Sequence, residues 1–178
     1  MKALISTRID ASHHPLAEEW WALYEEAFPP SERRARAMHS AALSDPLFYC
    51  IHLSDACGFV GVLSYWKLGD SVYVEHLAIT PSRRGCGFGH AALSMVPGPV
   101  VLEIEPVVDA LTAGRLAFYE SCGFVVLPMP HVQPAYQAGQ PDVPLLLLSR
   151  PVMDAAAVAR FEQLYMAHPM RYRDSVLG

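Results

Sequence analysis

Three glycines at alternate positions, Gly85, Gly87 and Gly89, follow a pair of arginines, Arg83 and Arg84, and stand directly before a helix-forming stretch. Glycines there let the backbone turn tightly and leave amide N–H groups uncovered at the positive end of a helix, an arrangement that attracts anions. The arginines add charge-assisted hydrogen bonds, so a pyrophosphate is a more natural guest than a carboxylate. Downstream, Glu103 and Glu105 are two residues apart in a β-rich run, which on strand parity puts both on one face. The same parity places Glu75 on a face with Tyr73 and Leu77 and turns His76 to the opposite one. Carboxylates brought close together push one another's pKa upward, so these glutamates can serve as a base or simply draw in a cation. Cys86, inside the glycine run, and Cys122 lack a neighbouring base, which argues against a thiol nucleophile. The eight histidines are scattered and the four cysteines form no C-x-x-C pair, so no metal site is expected.

These residues need elements to hold them. Residues 3–9 alternate as a first strand does, and a helix with a possible cap at Ser12 should carry Leu16, Trp20, Leu23, Tyr24 and Ala27 on its apolar face until Pro29 and Pro30 stop it. Ser31 and Glu32 can open a second helix bearing Arg33, Arg34 and Arg36 and running to about Leu43. Three β-rich runs with short turns follow, at 47–53, 59–67 and 71–79, and read as an antiparallel meander. The glycine segment, a short helix over 88–96 and a strand over 100–105 then make a parallel crossover. A further helix spans about 112–122 and ends at Gly123, and a strand starts near Phe124. Between Pro128 and Pro144 five prolines break any regular element and predict a long loop or an irregular edge strand, before a buried strand over 143–149 and a last helix capped by Asp154.

With 178 residues, 52% hydrophobic and 17% charged, and a mean hydropathy of +0.20, the chain has the apolar content of one folded domain spanning 1–178. No apolar run is long enough for a membrane span or a signal-peptide core, so a cytoplasmic protein is expected. A net charge of -5 opposes binding to nucleic acid.

Two segments carry a family resemblance. Arg84, Gly87 and Gly89 fall on the Arg/Gln-x-x-Gly-x-Gly/Ala signature of the GCN5-related N-acetyltransferase (GNAT) superfamily, with 77–79 similar to the strand before it. Residues 115–124, Arg-Leu-Ala-Phe-Tyr-Glu-Ser-Cys-Gly-Phe, resemble the superfamily's A-x-x-F-Y-E-x-x-G-F helix and turn, and 28–34, 73–79 and 133–136 look like a bacterial branch of it. The resemblance departs at Thr112, where many members carry asparagine, and in the longer connection from Glu105 to Thr112.

What the resemblance implies is an α/β fold, a mixed and largely antiparallel sheet flanked by helices and splayed between its two central parallel strands. It implies acetyl-CoA as co-substrate: the backbone of Leu77, Ala78 and Ile79 would run along pantetheine, and Arg84, Gly85, Cys86, Gly87, Phe88, Gly89 and His90 would hold the pyrophosphate. Thr112 would stand at the cofactor contact usually made by asparagine, Tyr119 at the general-acid position, and Glu103 or Glu75 at the base, directly or through water. The acceptor, a primary amine or peptide N-terminus, would enter from the end opposite the pyrophosphate. The 28–34 turn with Phe28, Glu75, Glu103, Glu105 and a proline-rich lid over 128–144 with Tyr136 as a stacking surface would border it. Two copies could pair through that segment or the last helix. Two other readings compete. One is a non-catalytic acyl-CoA-binding or regulatory module; the other is a dinucleotide-binding oxidoreductase, whose G-x-G-x-x-G spacing the glycines do not match.

Overall fold

The computed structural model describes residues 3–174. Strand β1 (Ile5–Ile9) leads to helix α1 (Ala17–Ala27), a single 3-10 turn at Pro30–Glu32, and helix α2 (Arg36–Ala42). Strands β2 (Phe48–Asp55), β3 (Gly58–Leu68) and β4 (Ser71–Ile79) form the expected antiparallel meander with β1 at its edge. Helix α3 (Phe88–Ser94) then crosses to β5 (Val100–Ile104), parallel to β4. Helix α4 (Ala110–Ser121), the short strands β6 (Val125–Val126) and β7 (His131–Gln133), strand β8 (Val143–Arg150) and helix α5 (Ala155–Ala167) complete the order. Both β6 and β7 pair with β8, which lies against β5. Of the two forms expected for the 128–144 segment, the strand is present in part: β7 pairs with β8.

The arginine-bearing stretch also differs from expectation. It is not one helix: after the 3-10 turn the chain is extended at Arg33 and Ala35. The cause is Arg34, which is fully buried, and whose backbone N–H donates to the Tyr24 hydroxyl at 3.0 Å. Burying that one side chain outweighs the local preference for continuing a helix.

Two apolar cores lie on the two faces of the sheet, as strand alternation requires. Val62, Trp66 and Tyr73 pack with Trp20 and Tyr24 of α1 and Phe161 and Tyr165 of α5; Leu63, Val74 and Leu102 pack with Phe88, Leu93 and Tyr119 from α3 and α4. Two helix ends follow their sequences, whereas α1 begins at Ala17 with Leu16 at its N-cap position and no side-chain cap, not at Ser12. Asp154 caps α5 by accepting from the Ala157 N–H at 2.8 Å, and Asp109 with Thr112 forms a capping box on α4. No helix among the described residues is long and apolar enough to cross a membrane.

One irregularity positions the site. In the β3–β4 ladder Ser64 faces His76 and Tyr65 faces Val74, so Glu75 is an extra residue in β4, a β-bulge. The bulge breaks the parity expected from the sequence. Glu75 and His76 now both point toward α1, while Leu77 falls to the α3 side away from Tyr73.

Candidate active site

Strands β4 and β5 pair only from Val72–Val74 to Val100–Leu102 and then part. Two open spaces flank the gap. One, of about 750 Å³, runs from the glycine segment across the start of α3 to α4. The other, of about 490 Å³, lies under the α1–α2 connection between Phe28, β4 and β5. They share the walls Leu77, Ile79, Arg84, Arg115 and Tyr119, so a molecule in one can touch a molecule in the other there.

In the larger chamber Gly87 caps α3 with φ +82°, a backbone that side-chain-bearing residues rarely adopt. A Cβ on Gly87 would meet no atom within 4 Å, whereas one on Gly89 would lie 2.9 Å from the Phe118 ring. The first glycine therefore keeps a surface open and the second lets α3 approach α4. Gly85 and Arg84 are exposed there, whereas Cys86, expected with them, is exposed on another surface beside Asp55 and Ser82; Arg84 Nε donates to the Ile79 carbonyl at 3.0 Å, and His90 Nε2 lies 3.0 Å from the Ser121 hydroxyl. Arg83 instead folds onto Asp55.

Two residues expected to touch the cofactor do other work. Phe88 is 2% exposed and its ring is core, which leaves only its backbone for the chamber. Thr112 is buried with its hydroxyl engaged in the α4 cap: it donates to Asp109 Oδ1 at 2.8 Å and accepts from the backbone N–H of Val108 and Asp109, each at 3.0 Å. A hydroxyl so occupied has little left for a ligand.

Tyr119 stands on the shared wall, 9% exposed, between Phe118 and Phe124. Burial pushes its pKa up to about 12 against the pull of Arg115, so the phenol keeps its proton at neutral pH and can donate it.

The smaller chamber is acidic. Glu26, Glu32, Glu75, Glu103 and Glu105 all reach its wall. Their partners differ, and the partners decide what each can do. Glu75 is buried and paired to Arg34 at 2.6 Å, and it accepts from the Tyr136 hydroxyl at 2.7 Å and from Trp66 Nε1 at 3.1 Å. Burial alone would raise its pKa, but the Arg34 guanidinium overrides that and holds the carboxyl at about 2. A carboxylate so stabilised is a poor base, so Glu75 loses the catalytic part that its sequence position suggested. Glu103 accepts from the Tyr73 hydroxyl at 2.5 Å and from His131 Nε2, and Glu105 pairs with Arg115.

Tyr136 is fully buried, with Arg34 4.7 Å above its ring, and so is part of this buried charge network, not an exposed stacking surface. Phe28 is half-buried at the chamber edge, its ring 4.5 Å from that of His76. His76 lies between a hydroxyl and a carbonyl. Its Nδ1 is 3.3 Å from Ser64 Oγ, and its Nε2 donates to the Glu32 carbonyl at 2.8 Å. Burial lowers its pKa more than Glu75 raises it, which favours the neutral ring.

Sequence reasoning put the 28–34 turn beside the acceptor but gave Arg34 and Glu32 no part of their own. Arg34 looks like one of three solvated arginines in SERRAR, and nothing local distinguishes it. Glu32 had a signal: it follows Pro29 and Pro30, which stiffen the turn that carries it to the chamber.

A sheet splayed after one parallel pair, with a glycine cradle on one side of the split and a polar chamber on the other, is the arrangement that the resemblance implied. The comparisons agree. Residues 13–97 match the model of the acetyltransferase (GNAT) family. A GNAT-family protein from Bacteroides thetaiotaomicron superposes with a TM-score of 0.81 at 26% identity, over 92% of this chain and 98% of that one. The ribosomal-protein-S18-alanine N-acetyltransferase from Escherichia coli (TM-score 0.56, 16% identity, 85% and 97% covered) shares the fold, as does an aminoglycoside 6'-N-acetyltransferase complexed with coenzyme A (0.58, 16%, 84% and 99%). No curated protein matches the sequence at a significant level. Over residues 13–97 the chain is similar to the GNAT acetyltransferases, and its fold is theirs.

Proposed function

We propose that this protein transfers an acetyl group from acetyl-CoA to a cationic primary amine by direct attack, with Tyr119 as general acid. The observation that carries this reading is the meeting of the two chambers at Tyr119: open glycine backbone on one side, carboxylates on the other. Bound acetyl-CoA would supply the thioester. Exposed backbone at Gly85 and Gly87, with Arg84 beside it, suits the pyrophosphate, and the unpaired edge of β4 at Leu77 to Ile79 suits pantetheine amides. The acidic wall attracts an ammonium and disfavours an acceptor whose own charge is negative. Similar folds include enzymes named for spermidine, aminoglycoside and protein-alanine acetylation, all amine acceptors.

The test is release of free CoA thiol from acetyl-CoA with a panel of primary amines. Turnover with at least one amine is expected; tight CoA binding with none turned over identifies a non-catalytic binder. For the cradle, Gly87→Val forces a β-branched residue into the left-handed region at a cost of roughly 1–2 kcal/mol or more. Calorimetry should show CoA affinity falling by about tenfold, and an unchanged affinity would remove the pyrophosphate from this loop.

A further inference from the structure

Of the carboxylates around the smaller chamber, Glu75 is bound to Arg34, Glu103 to Tyr73 and His131, and Glu105 to Arg115. Glu26 is exposed on α1. Glu32 differs from all four. It is half-buried at the wall, its carboxylate makes no hydrogen bond or ion pair among the described residues, and its backbone is fixed at both ends. Its N–H donates to the Pro29 carbonyl at 2.9 Å, and its carbonyl accepts from His76 Nε2 at 2.8 Å.

We propose that Glu32 is the base that takes the proton from the acceptor ammonium, a reading that rests on the acetyl transfer proposed above. A base needs a free oxygen, a fixed position and a proton affinity near the working pH. The surroundings of Glu32 move the third upward from the ordinary carboxylate range: burial raises its pKa first, Glu105 and Glu103 raise it further, and Arg115 on α4 opposes them. From β4 it faces His76, kept neutral, and the Glu75–Arg34 pair, whose charges offset one another. Glu26 adds negative charge from α1.

The proton balance closes. The ammonium gives one proton to the Glu32 carboxylate, and the freed lone pair forms the C–N bond at the thioester carbonyl as the C–S bond breaks. Tyr119 protonates the departing sulfur, and the second proton on nitrogen restores the phenol. Glu32, half exposed, returns its proton to solvent through the chamber mouth.

The experiment is single-turnover acetyl transfer by Glu32→Gln, Glu103→Gln and the unaltered protein across pH 6–10, with an amine that the unaltered protein accepts. Glu32→Gln should lower the rate by about 10²-fold at neutral pH. The deficit should shrink about tenfold per pH unit as the free amine becomes available in solution, while CoA affinity and Tm stay unchanged. Glu32→Asp should recover part of the rate. Glu103→Gln, which removes one of the charges that raise the Glu32 pKa, should move the acidic limb of the profile to lower pH and show no alkaline rescue. An unchanged profile in Glu32→Gln, or transfer of the deficit and its alkaline rescue to Glu103→Gln, overturns the assignment while leaving acetyl transfer intact. An unaltered protein that acetylates no amine overturns both readings.

Discussion

Tyr119→Phe is expected to lose about 10²-fold or more of kcat while binding CoA as before. The substitution removes one oxygen and leaves the ring, which is 5.0 Å from the Phe118 ring and 5.8 Å from the Phe124 ring and holds the corner between α4 and β6. Stability should therefore change little. The hydroxyl is the group at stake. With a pKa near 12 it is protonated throughout the useful range, and it stands where both chambers open. Without it the thiolate must leave unprotonated or wait for water. Stopped-flow measurement of the chemical step gives the direct reading, since slow product release would mask the loss in the steady state. An unaltered chemical step in Tyr119→Phe removes the general acid from this position.

The largest effect on stability is expected from Glu75→Gln. Arg34 is fully buried; besides Glu75 it has only neutral partners, donating to the carbonyls of Pro169 at 2.7 Å and Tyr172 at 3.1 Å. Glutamine keeps the shape of Glu75 and removes its charge, which leaves a guanidinium uncompensated in the core. Breaking a buried pair in this way costs about 3–5 kcal/mol. For a chain of this size that is a fall in Tm of roughly 6–20 °C.

The pH dependence follows from the same pair. Because the folded-state pKa of Glu75 is depressed to about 2 from 4.5, the stabilisation is complete above the unfolded value and is lost as pH falls from about 4.5 toward 2. Thermal melts from pH 2 to 6 should show the unaltered protein losing its advantage over Glu75→Gln across that window. Parallel melting curves would mean that the pair contributes nothing to stability.

How much of this was legible in the sequence depended on whether the information was local. The meander, the crossover and the capped last helix follow from period and punctuation, which neighbouring residues encode. The glycine segment was legible for the same reason. The bulge at Glu75 was not, because β4 alone reads as unbroken alternation and the extra residue exists only relative to β3. That one residue reversed the expected separation of Glu75 and His76. Tyr136 and Arg34 were misread for a related reason: the partner of Tyr136 is 61 positions away and those of the Arg34 guanidinium are 41, 135 and 138 away, and a proline-rich loop or a run of arginines looks solvated until those partners arrive. The acidic chamber was half legible, since strand spacing found Glu103 and Glu105, but only the folded turn brings in Glu32.

Arg34 also sets a constraint in time. The carbonyls that hold its guanidinium belong to Pro169 and Tyr172, 135 and 138 residues further along. As the chain leaves the ribosome, the sheet strands that will enclose Arg34 are made long before those carbonyls, so a nascent chain that closed early would bury a cation with part of its hydrogen bonding missing. The penalty for doing so keeps the core around α1 and β4 from consolidating until residue 172 is available. A chain released short of that point would stay open enough for cellular proteases to clear, and the wall of the smaller chamber would be completed only in molecules synthesised through the last 3-10 turn.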